Sequence, residues 1–246
     1  MSAIIYNGGG ATDNLVSVYN QSICRPFSIA GGWNRIRIGI RWNIYGTSTN
    51  ITGYPRAAMG LSNGNIVFNE TLSTATHFLG LWGQDDTSPT GEPSQYVYGN
   101  NFLHNFYYYV WGGEIHTVNY WKVENGVSTN VGSFAYGNGP SECYDTFHVT
   151  ILDITKGSPN WSISSEHLLD GFDNNILMTT EDLERGCNEY SPDYLYNNIS
   201  NYYLTSTPTL VPIDEGTYGT LDTFCFYWSN TSHAANIHDI IISKIN

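Results

Sequence analysis

Trp33-Asn34-Arg35-Ile36-Arg37-Ile38-Gly39-Ile40-Arg41-Trp42-Asn43-Ile44-Tyr45 changes character at every step. Ile36, Ile38, Ile40, Trp42 and Ile44 occupy one parity, while Arg35, Arg37, Gly39, Arg41 and Asn43 occupy the other. A helix, turning about 100° per residue, would scatter both sets around its axis; a strand sends successive side chains to opposite faces. The stretch predicts a strand with one buried and one polar face.

Further β-rich runs flank it on both sides: 4–6, 15–19, 56–61, 66–69, 78–82, 106–111, 115–123, 147–154, 161–164, 221–228 and 239–245. About a dozen short strands at this spacing predict an all-β, antiparallel two-sheet sandwich of the jelly-roll kind, formed as one domain over residues 1–246. Two Asn-Gly pairs, Asn63-Gly64 and Asn125-Gly126, sit between apolar runs and read as hairpin turns, because Asn and Gly tolerate positive φ. Only 179–186 looks helical, with Thr180 as cap, Glu181 and Asp182 in the first turn and Arg185-Gly186 closing it. Residues 84–95 and 186–209 are polar and contain proline, and they read as long surface loops. In a sandwich, such loops gather at sheet ends or edges, where binding is most often placed. No period of 20 to 50 residues is visible, which argues against propellers and solenoids.

The formal net charge of -13 argues against nucleic acid, whose phosphates need clustered Lys and Arg. No stretch approaches the roughly 20 apolar residues of a membrane span, and Met1 to Gly10 lacks the features of a classical signal peptide. The expectation is a chain folded in a host cytoplasm, without membrane insertion. Cys24, Cys143, Cys187 and Cys225 form no C-x-x-C pair, so zinc-site spacing is absent, and reduced cysteines acting as small hydrophobes are expected over a disulfide framework. Triplets such as Asn69-Glu70-Thr71 and Asn198-Ile199-Ser200 arise by chance in a chain this rich in Asn, Ser and Thr.

The order of segments resembles a concanavalin A-like or laminin G-like jelly roll. The early strand leading into Pro55 to Gly64, the central run Glu114 to Gly126, and the closing pair Thr223 to Trp228 and His238 to Ile245 carry this resemblance. It implies that the final strand returns beside the N-terminus. A second resemblance, of composition, is to structural and fibre-associated proteins of bacteriophage virions, which share the signal-less start, low Lys and abundant Asn, Gly, Tyr and Thr. It implies a virion location.

Candidate chemistry is sparse. Gly60-Leu61-Ser62-Asn63-Gly64 matches the G-x-S-x-G nucleophile elbow, but that motif needs a strand-to-helix turn, and a strand follows here. Glycoside hydrolysis needs two carboxylates at a set separation. No E-x-D-x-E is present, Glu114 is the one acid placed to face a cleft, and Asp145 and Asp153 look like edge positions. The seven histidines are scattered, with His233 and His238-Asp239 expected in loop and strand-cap roles. No cofactor is expected; Asp170, Asp173 and Asn175 offer hard oxygen donors suited to calcium, which is common in lectin-like jelly rolls.

Arg35, Arg37 and Arg41 concentrate three of the nine basic residues on one strand face. They would meet either a neighbouring subunit or acidic glycan, or carboxylates on adjacent strands. Tyr107, Tyr108, Tyr109, Trp111 and Trp121 could stack on sugars, although alternation sends about half of such strand aromatics into the core. Tyr190, Tyr194, Tyr196, Tyr202 and Tyr203, in the second long loop, offer a contact surface of low entropy cost. The sequence thus predicts a non-catalytic structural or adhesion protein of a phage particle, a shell decoration or a tail or fibre component. It would assemble with other virion proteins or with itself in a symmetric oligomer, leaving its loops for host glycans. A free carbohydrate-binding lectin module is the alternative, and a glycoside hydrolase or lyase the third reading.

Overall fold

The structure, a computed structural model, describes residues 3–7, 15–46, 56–64, 77–84, 116–136, 147–170, 203–205, 208–213, 220–229 and 233–245. Within them run β1 (Ala3–Asn7), β2 (Val16–Val18), β3 (Gln21–Pro26), β4 (Arg35–Gly46), β5 (Arg56–Ser62), β6 (His77–Gln84) and β7 (His116–Glu124). They continue with β8 (Val127–Tyr136), β9 (Phe147–Thr155), β10 (Asn160–Asp170), β11 (Tyr203–Thr205), β12 (Thr209–Pro212), β13 (Thr223–Ser229) and β14 (His233–Ile245). The larger sheet has the order β1-β14-β4-β9-β10-β11, with β2 also on β14 and β12 also on β10; the smaller has the order β3-β13-β5-β6-β7-β8. Every pairing is antiparallel. The all-β class and the two-sheet sandwich follow the expectation from alternation.

β4 shows how alternation builds the core. Ile36, Ile38, Ile40 and Trp42 are fully buried, and they join Leu152 and Ile154 of β9 and Ile240 and Ile242 of β14 in one cluster. Across the interlayer space, the cluster takes in Met59, Leu61, Leu79, Leu81, Phe224, Phe226 and Trp228 of the smaller sheet. Each such side chain contributes about 1.5–3 kcal/mol on leaving water. Trp42 also places its indole N–H on the Thr150 hydroxyl at 3.0 Å, so its polar handle is satisfied within the core. Between sheets, the Tyr120 and Ser165 hydroxyls meet at 2.9 Å in a buried bond. At one margin, Lys122 of β7 reaches across to the carbonyl of Pro212 of β12 at 2.8 Å.

As the sequence resemblance implied, β14 lies beside β1, with Ala3 opposite Ser243 and Asn7 opposite Asp239. The two closing strands separate, however: β13 belongs to the smaller sheet and β14 to the larger. β14 also begins earlier than apolar patterning predicts, at His233, and a register shift between Ile237 and Asp239 breaks its periodicity. His238 and Asp239, expected in loop or cap roles, are consequently strand residues and only 2% exposed. Asp153 is likewise not an edge residue, because β9 runs between β4 and β10.

Of the two Asn-Gly pairs, Asn125-Gly126 forms the expected turn. Glu124 pairs with Val127 across it, with φ of 52° at Asn125 and 79° at Gly126. Gly126→Ala is expected to cost about 1 kcal/mol in urea unfolding, since an L side chain resists that φ. An unchanged midpoint would contradict the assigned turn. Asn63-Gly64 forms no such turn. Both edges of β5 are occupied, by β13 and β6, and Leu61 pairs with Phe224 and Leu79 rather than with the residues that follow. Asn63 instead holds the start of β6, accepting from the His77 backbone N–H at 3.3 Å. Ser62 is the last residue of β5, one beyond the expected strand 56–61. The expected strands 66–69 and 106–111 and the helix 179–186 lie outside the described residues.

The outer face of the smaller sheet carries a second buried cluster of Ala58, Phe78, Val123, Cys225 and Tyr227, with Cys24 and Trp121 packed against it. Gly60 and Gly80 face each other directly within this region. A Cβ on Gly60 would come within 2.7 Å of the Phe78 ring and one on Gly80 within 2.8 Å, so the ring fills the space that the two glycines leave.

Candidate functional site

Strand directions bring the longest connections to one end of the sandwich. In the larger sheet, His233 pairs with Gly46, Trp42 with His148, Phe147 with Asp170, and Leu168 with Tyr203. The ends of β4 and β10 and the starts of β9, β11 and β14 therefore lie on the same side. In the smaller sheet, Ser229 pairs with Arg56 and Arg56 with Gln84, while His116 pairs with Tyr136. The short step from Ser229 to His233 ties the two sets together. The strand ends opening onto 47–55, 85–115, 137–146, 171–202 and 230–232 thus share one end. The opposite end carries the Asn125-Gly126 turn, the 156–159 turn between β9 and β10, and the strand ends that flank 65–76.

Of the expected site residues, Tyr203 opens β11 opposite Leu168, and Asp170 closes β10 opposite Phe147. Both stand at the end with the long connections. Tyr190, Tyr194, Tyr196 and Tyr202 lie outside the described residues, as do Asp173, Asn175, Glu114 and Asp145. So do Tyr107, Tyr108, Tyr109 and Trp111. The structure does, however, fix where their segments begin and end. The chain leaves the larger sheet at Asp170 and returns at Tyr203, at the same edge of that sheet.

The arginines do not join this end as a group. Arg35 and Arg37 sit toward the opposite end of β4, next to Asp153 of β9. Arg35 donates from Nε to both carboxylate oxygens at 3.1 Å and from Nη2 to Oδ2 at 2.6 Å. Arg37 donates to the same Oδ2 at 2.7 Å and approaches Glu166 of β10 at 3.5 Å. Hydrogen bonding to Asp153 raises the Arg35 pKa above its ordinary value, with the charges of Asp153 and Glu166 adding to it and partial burial opposing. Arg35 remains 40% exposed and Arg37 only 13%. Arg41 is fully buried, and its Nε lies 2.6 Å from Asp239 Oδ2. Adjacent-strand carboxylates therefore meet all three arginines. Asp153→Asn should destabilise the fold by about 1–2 kcal/mol, because Arg37 is mostly withdrawn from water. Chemical denaturation would check this, and a variant as stable as the parent would contradict it.

Sequence reasoning missed Glu166 and the partnership of Asp239 with Arg41. Each partner comes from a distant strand, so local pattern holds no signal for it. Among the described residues, no three of His, Cys, Asp and Glu come together in a metal-binding group. Also among them, no helix is long and apolar enough to cross a membrane.

No protein-family model and no curated protein matches the chain. Solved structures similar to it include legume-lectin-like β-sandwich domains. They include the VIP36 exoplasmic/lumenal domain in a Ca2+/Man-bound form, with TM-score 0.43 and 13% identity over 99% of this chain and 83% of that one. Peanut lectin with a nine-residue peptide gives TM-score 0.47 at 9% identity, covering 100% of this chain and 98% of that one. The legume lectin-like domain from Entamoeba histolytica gives 0.42 at 7% identity, covering 99% and 90%.

Proposed function

We propose that this chain is a non-catalytic carbohydrate-binding module that takes neutral glycans at the end of the sandwich where its long connections open. The observation that carries the reading is the convergence at that end of the strand ends flanking 47–55, 85–115, 137–146, 171–202 and 230–232. Two rigid sheets hold the bases of these segments, and binding residues are disproportionately found on loops held by such a scaffold. The segments are rich in Tyr and Asn. Aromatic faces with amide hydrogen bonds suit uncharged sugar rings. In this reading Tyr190, Tyr194, Tyr196, Tyr202 and Tyr203 supply the stacking surface.

Charge points the same way. Arg35, Arg37, Arg41 and Lys122 all have carboxylate partners within the chain. With a net charge of -13, an anionic glycan would be repelled. Asp170, Asp173 and Asn175 would offer hard oxygen donors to a calcium ion that organised these segments.

A glycan array probed with the purified chain tests this. Binding to neutral oligosaccharides, reduced at least tenfold by a chelator and by Tyr194→Ala with Tyr196→Ala, is the expected result. The virion reading has composition behind it. Recovery of the chain only within symmetric particles, with no neutral glycan bound, would favour that reading and overturn the present one.

A further inference from the structure

We infer that Cys24 and Cys225 form an oxidisable pair, and that their disulfide staples the edge strand β3 to the body of the smaller sheet. The two residues are directly opposed in the β3–β13 register. Opposed residues of an antiparallel pair have Cα atoms about 4.5 or 5.5 Å apart, and both spacings fall within the range disulfides use. The sulfurs lie 3.1 Å apart, so bond formation requires them to close by about 1 Å. No backbone rearrangement is needed.

Neighbouring acceptors orient the pair. Ser62 gives its hydroxyl proton to the Gly64 carbonyl, which can only accept. Ser62 Oγ is therefore left as an acceptor for the Cys225 thiol, 3.2 Å away. The Thr223 carbonyl, 4.0 Å from the Cys225 sulfur, is a second acceptor for its proton, and with either partner a sulfur lone pair is left for Cys24.

Exposure sets the order of events. Cys24 is partly exposed on an edge strand, whereas Cys225 is buried between β3 and β5. A small-molecule disulfide such as oxidised glutathione reaches Cys24 first. The Cys24 thiolate attacks one glutathione sulfur, forms a mixed disulfide and releases one glutathione thiolate. Cys225, after losing its proton to water, attacks the Cys24 sulfur and expels the second. Two protein thiols lose two electrons in total, and one glutathione disulfide becomes two glutathione thiols.

The cysteines are 201 positions apart, so the bond closes most of the chain into a loop and strongly restricts the unfolded state. Among the described residues, β3 otherwise has a single strand neighbour, β13, and the bond would resist its fraying.

The test treats the whole chain with oxidised glutathione, alkylates the remaining thiols and maps peptides without reduction. The expected result is a Cys24–Cys225 cross-link with a mass loss of about 2 Da, and a Tm raised by about 5–15 °C that dithiothreitol reverses. A Cys143→Ser/Cys187→Ser variant should respond identically; if it does not fold, the peptide map of the parent decides. Full alkylation of Cys24 and Cys225, a link to a different cysteine, a glutathione that persists on Cys24, or an unmoved Tm would overturn the inference.

Discussion

Arg41→Met is expected to lower unfolding stability by about 3–5 kcal/mol, seen as a Tm drop of about 10 °C. Arg41 is fully buried, and the Asp239 side chain is only 3% exposed. Removing the guanidinium strands a carboxylate where water cannot solvate it, and that penalty exceeds the net worth of the pair. The double change Arg41→Met with Asp239→Leu should therefore recover most of the loss, because two apolar side chains need no partner. Urea denaturation of the two variants checks both halves. A single variant within 1 kcal/mol of the parent, or a double variant no better than the single, would contradict the buried pair.

Gly80→Ala is the second change with a large expected effect, about 2–4 kcal/mol. The β5 and β6 backbones approach so closely at the facing glycines that a Cβ on Gly80 would lie 2.6 Å from the Gly60 Cα and against the Met59 carbonyl. The Phe78 ring, 2.8 Å away, could rotate aside, but the backbone atoms cannot. The loss should therefore persist in a Phe78→Ala background. Rescue by that second change would show that the ring, not the backbone, sets the limit.

These two sites show where sequence is informative and where it stops. The parity of Ile36, Ile38, Ile40 and Trp42 is a local property, and it correctly places them in the core. The parity of Arg35, Arg37 and Arg41 is equally local, but their partners are not. Asp153 lies 118 positions from Arg35, and Asp239 lies 198 from Arg41, so only strand order brings them together. Asn125-Gly126 succeeds as a turn because β7 and β8 are sequence neighbours with a free edge to share. Asn63-Gly64 has the same chemistry and fails because β13 and β6 already hold both edges of β5. β14 hides its first half because the register shift at Ile237 and Asp239 interrupts alternation.

The candidate site follows the same division. Tyrosine-rich composition marks 186–209 as contact surface, but which strand ends it neighbours depends on pairing between distant segments. Their convergence at one end of the sandwich comes from topology. It brings the strand ends flanking the aromatic segments to one end and leaves the Arg35–Asp153–Arg37 network toward the other end of β4.

Calorimetric titration of the chain with neutral oligosaccharides, at low and high salt, tests neutral-glycan binding. Saturable binding is expected, with an affinity that stays within twofold as salt rises tenfold, because no cation of the arginine network takes part. Binding restricted to sulfated or sialylated glycans, and weakened at least tenfold by the same salt, would contradict it.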